Sequence, residues 1–281
     1  MGKLLRHYSA RGHFVAAGVL ATFILSLTEW SLSDALEKGA NRKPIPSISA
    51  GHSKTDLLQS ELRVLINDLE VPADSIPSDF VEKVRRWARL YQTRDRDEME
   101  LVLGTRRDDF QSVRQQVASA GLPADLAFAT LVESHFQSGA ISADDNAGLW
   151  QFTRDTARRN GLKVNSGTDE RLDPRKSTDA ACRYLLRLRQ QLGPDGSLML
   201  AIAAYNMGPG RLTQRTRQVK DVAKRQDFWY LYRTHVLPAV TRTHLARLMA
   251  AILIGRDPEH FGFKAAPPNN LEAVSSIAPR F

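Results

Sequence analysis

Glu133 is the residue of this sequence best placed to move a proton. Seven uncharged residues, 126–132, run directly into it. Pro123 suits the first turn of a helix, and Asp125 suits the positive end of that helix. One stripe of the helix would carry Leu122, Leu126, Ala129 and Glu133. Burial there would raise the pKa of the carboxyl and make it a general acid, whereas a solvated or Arg-paired glutamate is the plain alternative.

Three short stretches follow Glu133 along the chain. Ser134 comes directly after the acid, and Ser142 comes nine residues after it. The segment 148–152 reads GLWQF, and the segment 203–210 reads AAYNMGPG. Each piece alone is weak, but the ordered set is strong. In this set the chain resembles the family 1 lytic transglycosylases of bacterial cell walls, whose pattern is E-S, a serine, G-L-[MW]-Q and A-Y-N-x-G.

The resemblance covers residues 76–263 and implies a mainly α, lysozyme-like domain with helical extensions on both sides. It implies a carbon–oxygen lyase that cleaves the β-1,4 bond between N-acetylmuramic acid and N-acetylglucosamine in peptidoglycan. Glu133 would act first as acid and then as base, leaving a 1,6-anhydromuramic acid end. The substrate's 2-acetamido group would replace the second carboxylate that ordinary glycosidases need. No cofactor is implied.

The matched positions imply further site residues. Those expected to bind substrate or to orient the acid are Ser134, Ser142, Gln151, Tyr205 and Asn206. Tyr205 is expected near Glu133 or the acetamido group, because a buried tyrosine hydroxyl needs a partner. Asn206 is expected to tie neighbouring backbone together. Gly148 and Gly208 are expected to serve structure, through unusual backbone angles or a close approach of the chain.

Some side chains leave alternatives open. Trp150 either stacks on a sugar or lies in the core. Asp144 and Asp145 stand in the loop before the GLWQF segment. They are either solvated or, if they face Glu133 across a cleft, would supply the paired carboxylates of a hydrolase.

The chain of 281 residues has a formal charge of +8 and a pI of about 9.8. This charge predicts anionic partners, such as acidic wall polymer, anionic lipid or nucleic acid. The basic run 211–225 is either a solvated helical face or a surface for wall peptides and lipid headgroups. The single cysteine, Cys182, is predicted to be a small buried hydrophobe rather than a nucleophile. The seven histidines show no metal-ligand spacing, so no metal site is expected.

The N-terminus has the pattern of an export segment. Lys3, Arg6 and Arg11 precede the uncharged run 14–27. Because no clean cleavage site follows, the run is either a signal peptide or an anchor in the inner membrane. Export to the periplasm of the bacterial envelope is therefore predicted, which argues against nucleic acid as a partner. Peptidoglycan glycan strands are the expected partner, and a monomer is expected.

The predicted regions follow from composition, helical pattern and motif positions. They are a signal peptide or anchor at 1–30, a linker at 31–54, an N-terminal helical region at 55–115, a catalytic domain at 116–215, a C-terminal helical extension at 216–265 and a flexible tail at 266–281. Ser78, Thr153 and Asp173 are predicted helix caps, and Pro238 is predicted to open a late helix. No peptidoglycan-binding repeats follow the catalytic region.

Four functions compete on this sequence. The first is a lytic transglycosylase, and the second is a hydrolytic muramidase on the same fold. The third is a catalytically silent wall-binding protein, against which the complete motif set argues. The fourth is a basic nucleic-acid binder, which the export segment and the lack of a recognition motif disfavour.

Overall fold

The computed structural model describes residues 52–193 and 196–264, and these ranges are mainly helical, as predicted. No β-strand forms within them. The α-helices, in chain order, are α1 His52–Asp68, α2 Ser78–Gln92, α3 Arg96–Glu100, α4 Arg107–Ser119, α5 Ala129–Ser134, α6 Arg154–Arg159, α7 Pro174–Gln191, α8 Leu198–Met207, α9 Pro209–Arg217, α10 Phe228–Arg233 and α11 Ala239–Arg256. Shorter 3-10 helices span Ala73–Ser75, Ala124–Phe128, Glu170–Leu172 and Val222–Lys224, and a π-helical turn spans Leu101–Thr105.

Two apolar helices, α8 and α11, form the centre of the core. Residues 198–204 of α8 are all buried, and so are residues 248–254 of α11. Helices that are apolar on all sides are stable only when other elements surround them. Helix α11 packs against α1, α2, α5 and α8. It therefore joins the N-terminal helices to the short helix that ends in Glu133 and Ser134.

Capping residues position the helices around the site. The Thr153 side chain accepts a hydrogen bond from the backbone N–H of Thr156, and Asp173 accepts one from Lys176. These two predicted caps are confirmed. The predicted cap at Ser78 is wrong, because Ser78 is the first residue of α2. The extended Pro77 takes the cap position, where its carbonyl accepts the first backbone hydrogen bonds of the helix.

The segment before Glu133 is helical, but it is not one continuous α-helix. A 3-10 helix begins directly after Pro123, and α5 continues it to Ser134. Asp125, which was predicted to lie at the positive end of the helix, also has two arginine partners. It accepts hydrogen bonds from Arg114 and Arg256, each at 2.8 Å. These contacts tie the 3-10 turn to α4 and α11.

Three predicted regions lie outside the described residues, wholly or for the most part. They are the signal or anchor at 1–30, the linker at 31–54 and the tail at 266–281. Helix α1 begins at His52, so the last three residues of the predicted linker are helical instead. Within the described ranges, no helix combines the length and the apolar character that crossing a membrane requires.

Candidate active site

Glu133 lies in the last turn of α5 with only 18% of its side chain exposed. Burial raises the pKa of its carboxyl to about 7, and the positive charge of Arg247 opposes this rise. Loss of water disfavours the charged form of a carboxyl, which is the physical cause of the rise. Near neutral pH both protonation states are therefore populated. Such a group can donate a proton and later accept one.

Tyr205 of α8 lies close to the acid. Its hydroxyl donates a hydrogen bond to the Trp150 backbone carbonyl at 2.7 Å. Burial raises the pKa of Tyr205 well above its usual value, and the charge of Glu133 raises it further. The phenol therefore stays protonated, and its hydroxyl links α8 to the loop that carries the GLWQF motif.

The side chains of Ser142 and Gln151 hold that loop together. The Ser142 hydroxyl accepts a hydrogen bond from the backbone N–H of Asn146 at 3.0 Å, and only 8% of the residue is exposed. The Gln151 amide donates to the Gly148 carbonyl at 2.9 Å. The backbone of Gln151 has φ +47°, so this turn is unusual for a residue with a side chain. The motif thus shapes the loop around the acid.

Ser134 and Asn206 differ from each other in their contacts. The buried Ser134 hydroxyl bonds to the carbonyls of Thr130 at 2.9 Å and Leu149 at 3.0 Å, which joins α5 to the loop. Asn206 was expected to tie neighbouring backbone, but its half-buried side chain makes no hydrogen bond to the described residues. Its amide therefore remains available to a ligand.

The two motif glycines occupy positions that side chains would not tolerate. Gly148 has φ +79°, and a Cβ there would lie 1.8 Å from the Arg171 carbonyl oxygen. Gly208 has φ +87° at the junction of α8 and α9. Trp150 is 1% exposed and donates to the Thr178 hydroxyl at 2.9 Å. Trp150 thus lies in the core, and the alternative that it stacks on a sugar is wrong.

The loop acids do not form a pair with Glu133. Asp144 is exposed. Asp145 is bound by Arg154 and, at 3.2 Å, by Arg171, and these hydrogen bonds and charges lower the pKa of its carboxyl. The loop acids thus have solvent or arginine partners of their own, and Arg247 is the charged group that acts on the pKa of Glu133.

Sequence reasoning missed two residues of α11 that face the acid. The Nε2 atom of His244 lies 3.6 Å from the Glu133 Oε1 atom. Burial, together with the nearby charge of Arg247, lowers the pKa of His244 to about 4, so the ring is neutral at neutral pH. His244 and Arg247 stand one turn apart in an otherwise apolar stretch of helix. Polar residues at that spacing were the available signal.

Arg171 was missed as well, although it is fully buried. Its guanidinium donates to Asp169 at 2.7 Å and to the backbone carbonyls of Asp145 at 2.5 Å and Phe152 at 3.1 Å. A buried charge needs such partners to offset its lost hydration. Arg171 therefore fixes the loop from Asp145 to Phe152, which includes the GLWQF motif.

No cluster of three or more His, Cys, Asp or Glu side chains in residues 52–193 and 196–264 could hold a metal ion. Cys182 is 2% exposed, and burial raises its pKa to about 11. Its predicted place as a small buried hydrophobe is confirmed, since such a thiol is a poor nucleophile.

The fold and site agree with a known domain class. Residues 113–228 match the Transglycosylase SLT domain, which agrees with the lysozyme-like domain that the resemblance implied. The resemblance stated from the sequence is therefore confirmed.

Individual relatives carry names of the same kind. The chain is 32% identical over 162 residues to membrane-bound lytic murein transglycosylase D of Escherichia coli K12, a match that covers 58% of this chain and 34% of that protein. It is 31% identical over 153 residues to membrane-bound lytic murein transglycosylase F 2 of Alkalilimnicola ehrlichii, covering 52% and 32%. It is 37% identical over 107 residues to peptidoglycan transglycosylase gp16 of Escherichia phage T7, covering 37% and 8%. The chain thus spans about a third of the length of the first two relatives.

Proposed function

We propose that this chain is a peptidoglycan lytic transglycosylase with Glu133 as its catalytic acid and base. The observation that carries the proposal is a largely buried carboxyl, 18% exposed, inside the complete motif set, while Asp144 is exposed and Asp145 is bound by Arg154 and Arg171. Most glycosidases that use water have two carboxyl groups that flank the bond to be broken. A single titratable carboxyl suits a reaction in which the substrate supplies its own nucleophile.

The proposed reaction balances its protons on one residue. Protonated Glu133 gives its proton to the glycosidic oxygen as the bond from that oxygen to C1 of N-acetylmuramic acid breaks. The 2-acetamido group stabilises C1. Carboxylate Glu133 then takes the proton of the O6 hydroxyl as O6 bonds to C1, which forms the 1,6-anhydro end. No water is consumed, and Glu133 returns to its protonated form.

The remaining motif residues have two proposed roles, which are contact with the substrate and positioning of the acid. Tyr205 and Asn206, on the helix that passes the acid, are proposed to contact the substrate, because the Asn206 amide has no protein partner in the described ranges. Ser134, Ser142 and Gln151 are proposed to orient the acid by holding α5 and the loop. This proposal is supported by their hydrogen bonds to backbone atoms.

The proposed setting is the bacterial envelope, with glycan strands of the wall as the substrate. Residues 14–27 are proposed as an export signal or inner-membrane tether, and the basic run 211–225 as a surface for anionic headgroups. Neither nucleic acid nor a second protomer is required. The catalytic domain is proposed at 116–215, between helical regions at 55–115 and 216–265.

Digestion of purified sacculi tests the proposed function. Wild type and Glu133→Gln would be compared, and the released muropeptides would be weighed by mass spectrometry. Glu82→Gln is the matched control, because Glu82 is 63% exposed and its ion pair within the described residues is with Arg85 on its own helix. We expect anhydro-muropeptides from wild type and Glu82→Gln, and a yield at least about 100-fold lower from Glu133→Gln.

Each competing function has its own outcome in this digestion. Products heavier by one water, with reducing ends, would replace the proposal by a hydrolytic muramidase. No release from wild type would point to a catalytically silent wall-binding protein. Equal release from wild type and Glu133→Gln would remove Glu133 from the mechanism.

A further inference from the structure

Arg247 is fixed in place by groups that lie outside the SLT segment at 113–228. Its Nε atom donates to the Tyr91 hydroxyl at 3.0 Å, and its Nη2 atom donates to Glu98 at 3.0 Å. The guanidinium lies over the rings of Trp87 at 5.1 Å and Tyr91 at 5.8 Å from their centroids. Contacts of this kind hold a cation by hydrogen bonds and by the negative faces of the rings. The charge therefore has one defined position.

Glu98 links the guanidinium of Arg247 to the chain at the end of α5. Its Oε1 atom lies 2.8 Å from His135 Nδ1, two residues after Glu133, while its Oε2 atom binds Arg247. One carboxylate thus holds both the chain that follows Glu133 and the guanidinium of Arg247. On α11, one turn before Arg247, His244 reaches to 3.6 Å from Glu133. Glu98 of α3 therefore ties Arg247 to the chain just after α5, and Arg247 stands on α11 one turn after the residue that reaches the acid.

We propose that Arg247 is a positioning residue whose fixed positive charge governs when Glu133 releases and regains its proton. The inference rests on the proposed function, since it concerns the same acid. It makes the helical regions on both sides of the SLT segment part of the active site. Trp87, Tyr91 and Glu98 belong to the N-terminal side, and Arg247 belongs to the C-terminal side.

The charged and titratable groups that face Glu133 come from two elements packed around it. Helix α8 supplies Tyr205, whose phenol stays protonated. Helix α11 supplies His244, which is neutral at neutral pH, and Arg247. Behind Arg247 lies Glu98 of α3, which pairs with it and with His135. Arg247 is therefore the group whose removal should alter the proton affinity of Glu133 most.

The direct test is a carboxyl titration by NMR on the full-length chain in detergent micelles, with ¹³C in the side-chain carboxyl of glutamate. The signal lost in Glu133→Gln identifies Glu133. We expect Arg247→Met to raise the pKa of Glu133 by about 1, the low end for loss of a nearby opposite charge. Arg247→Lys, which keeps the charge, should leave it near the wild-type value.

Arg242→Met is the matched control on the same helix. Arg242 also lies over an aromatic ring, that of Tyr232 at 5.2 Å, but its charge does not contribute to the shift in the pKa of Glu133. The Arg242→Met substitution should leave the titration of Glu133 unchanged. If Arg247→Met does not fold, the double variant Glu98→Gln with Arg247→Met removes the charge without leaving Glu98 unpaired.

The readouts separate this inference from the proposed function. In sacculus digestion, Arg247→Met should move the fall in kcat/KM at high pH upward by the same amount as the titration. An unchanged titration in a folded Arg247→Met, or in the double variant, would overturn the inference. Because the titration needs no substrate, a shifted pKa without any cleavage by wild type would sink the proposed function alone.

Discussion

Arg171, which is fully buried, and Arg247, whose side chain is 18% exposed, both lie beside the candidate site, but their charges are compensated differently. Arg171 is bound by two carboxylates, Asp169 and Asp145, and by backbone carbonyls of the loop. Arg247 is bound by one carboxylate, Glu98, by a hydroxyl and by two ring faces. The two carboxylates more than neutralise Arg171, so its role is to hold the loop in place. The charge of Arg247 is less fully neutralised and still acts on Glu133. The difference teaches that burial of an arginine alone does not tell its role.

The largest change in stability should come from removing the Arg171 guanidinium. Arg171→Met should reduce the free energy of unfolding by about 3 to 5 kcal/mol, because it leaves Asp169 and the loop carbonyls without their partner. Denaturant unfolding would measure this. Arg154→Met, which removes the exposed partner of Asp145, should cost less than about 1 kcal/mol. Equal effects of the two changes would contradict the distinction between buried and exposed partners of Asp145.

The ionisation of Glu133 should make the free energy of unfolding depend on pH. The pKa of Glu133 is raised by burial from an ordinary value of 4.5 to about 7. A raised pKa contributes stability that is fully present below the ordinary value and is lost as pH rises through the folded value. Between pH 4.5 and 7 wild type should therefore lose up to about 3 kcal/mol at this group.

Glu133→Gln cannot ionise, so it should be more stable than wild type at pH 8 and close to wild type at pH 4. Thermal unfolding of both proteins at the two pH values checks the sign. The activity should also depend on pH. Because cleavage begins with protonated Glu133, its rate should decline as pH rises through about 7. A Glu133→Gln variant that is less stable than wild type at pH 8 would show that the fold stabilises the carboxylate, which contradicts a raised pKa.

The smallest effect is expected at Tyr205. Tyr205→Phe removes the hydroxyl that donates to the Trp150 carbonyl at 2.7 Å and should cost about 1 kcal/mol of unfolding free energy. Tyr184→Phe is the control, since its ring lies 5.4 Å from that of Tyr205 and its hydroxyl makes no hydrogen bond to the described residues. Denaturant unfolding should separate the two variants. Indistinguishable values would mean that this hydrogen bond contributes no net stability.

The sequence predicted those parts of the fold and site that depend on local pattern. Pro238 marked the start of the late helix, and Thr153 and Asp173 marked two other helix starts. The motif order placed Glu133 and Tyr205 in one site, because spacing within the motif set is itself local information.

What the sequence could not give depends on contacts between distant segments. Trp150 lies in the core, where its ring nitrogen donates to the Thr178 hydroxyl of α7. His244 and Arg247 acquire a role only when α11 crosses α5, more than 100 residues away in sequence. Their spacing of one turn marks a shared face of α11, but it does not tell which distant segment that face meets.

The central claim is that Glu133 alone drives a cleavage that consumes no water. Digestion of sacculi in water enriched in ¹⁸O tests it most directly, with the new ends of the released muropeptides weighed by mass spectrometry. The account predicts that these ends carry no ¹⁸O and have the mass of the anhydro form. Ends that contain one ¹⁸O atom from solvent would contradict it, because water and not the O6 hydroxyl would then have attacked C1.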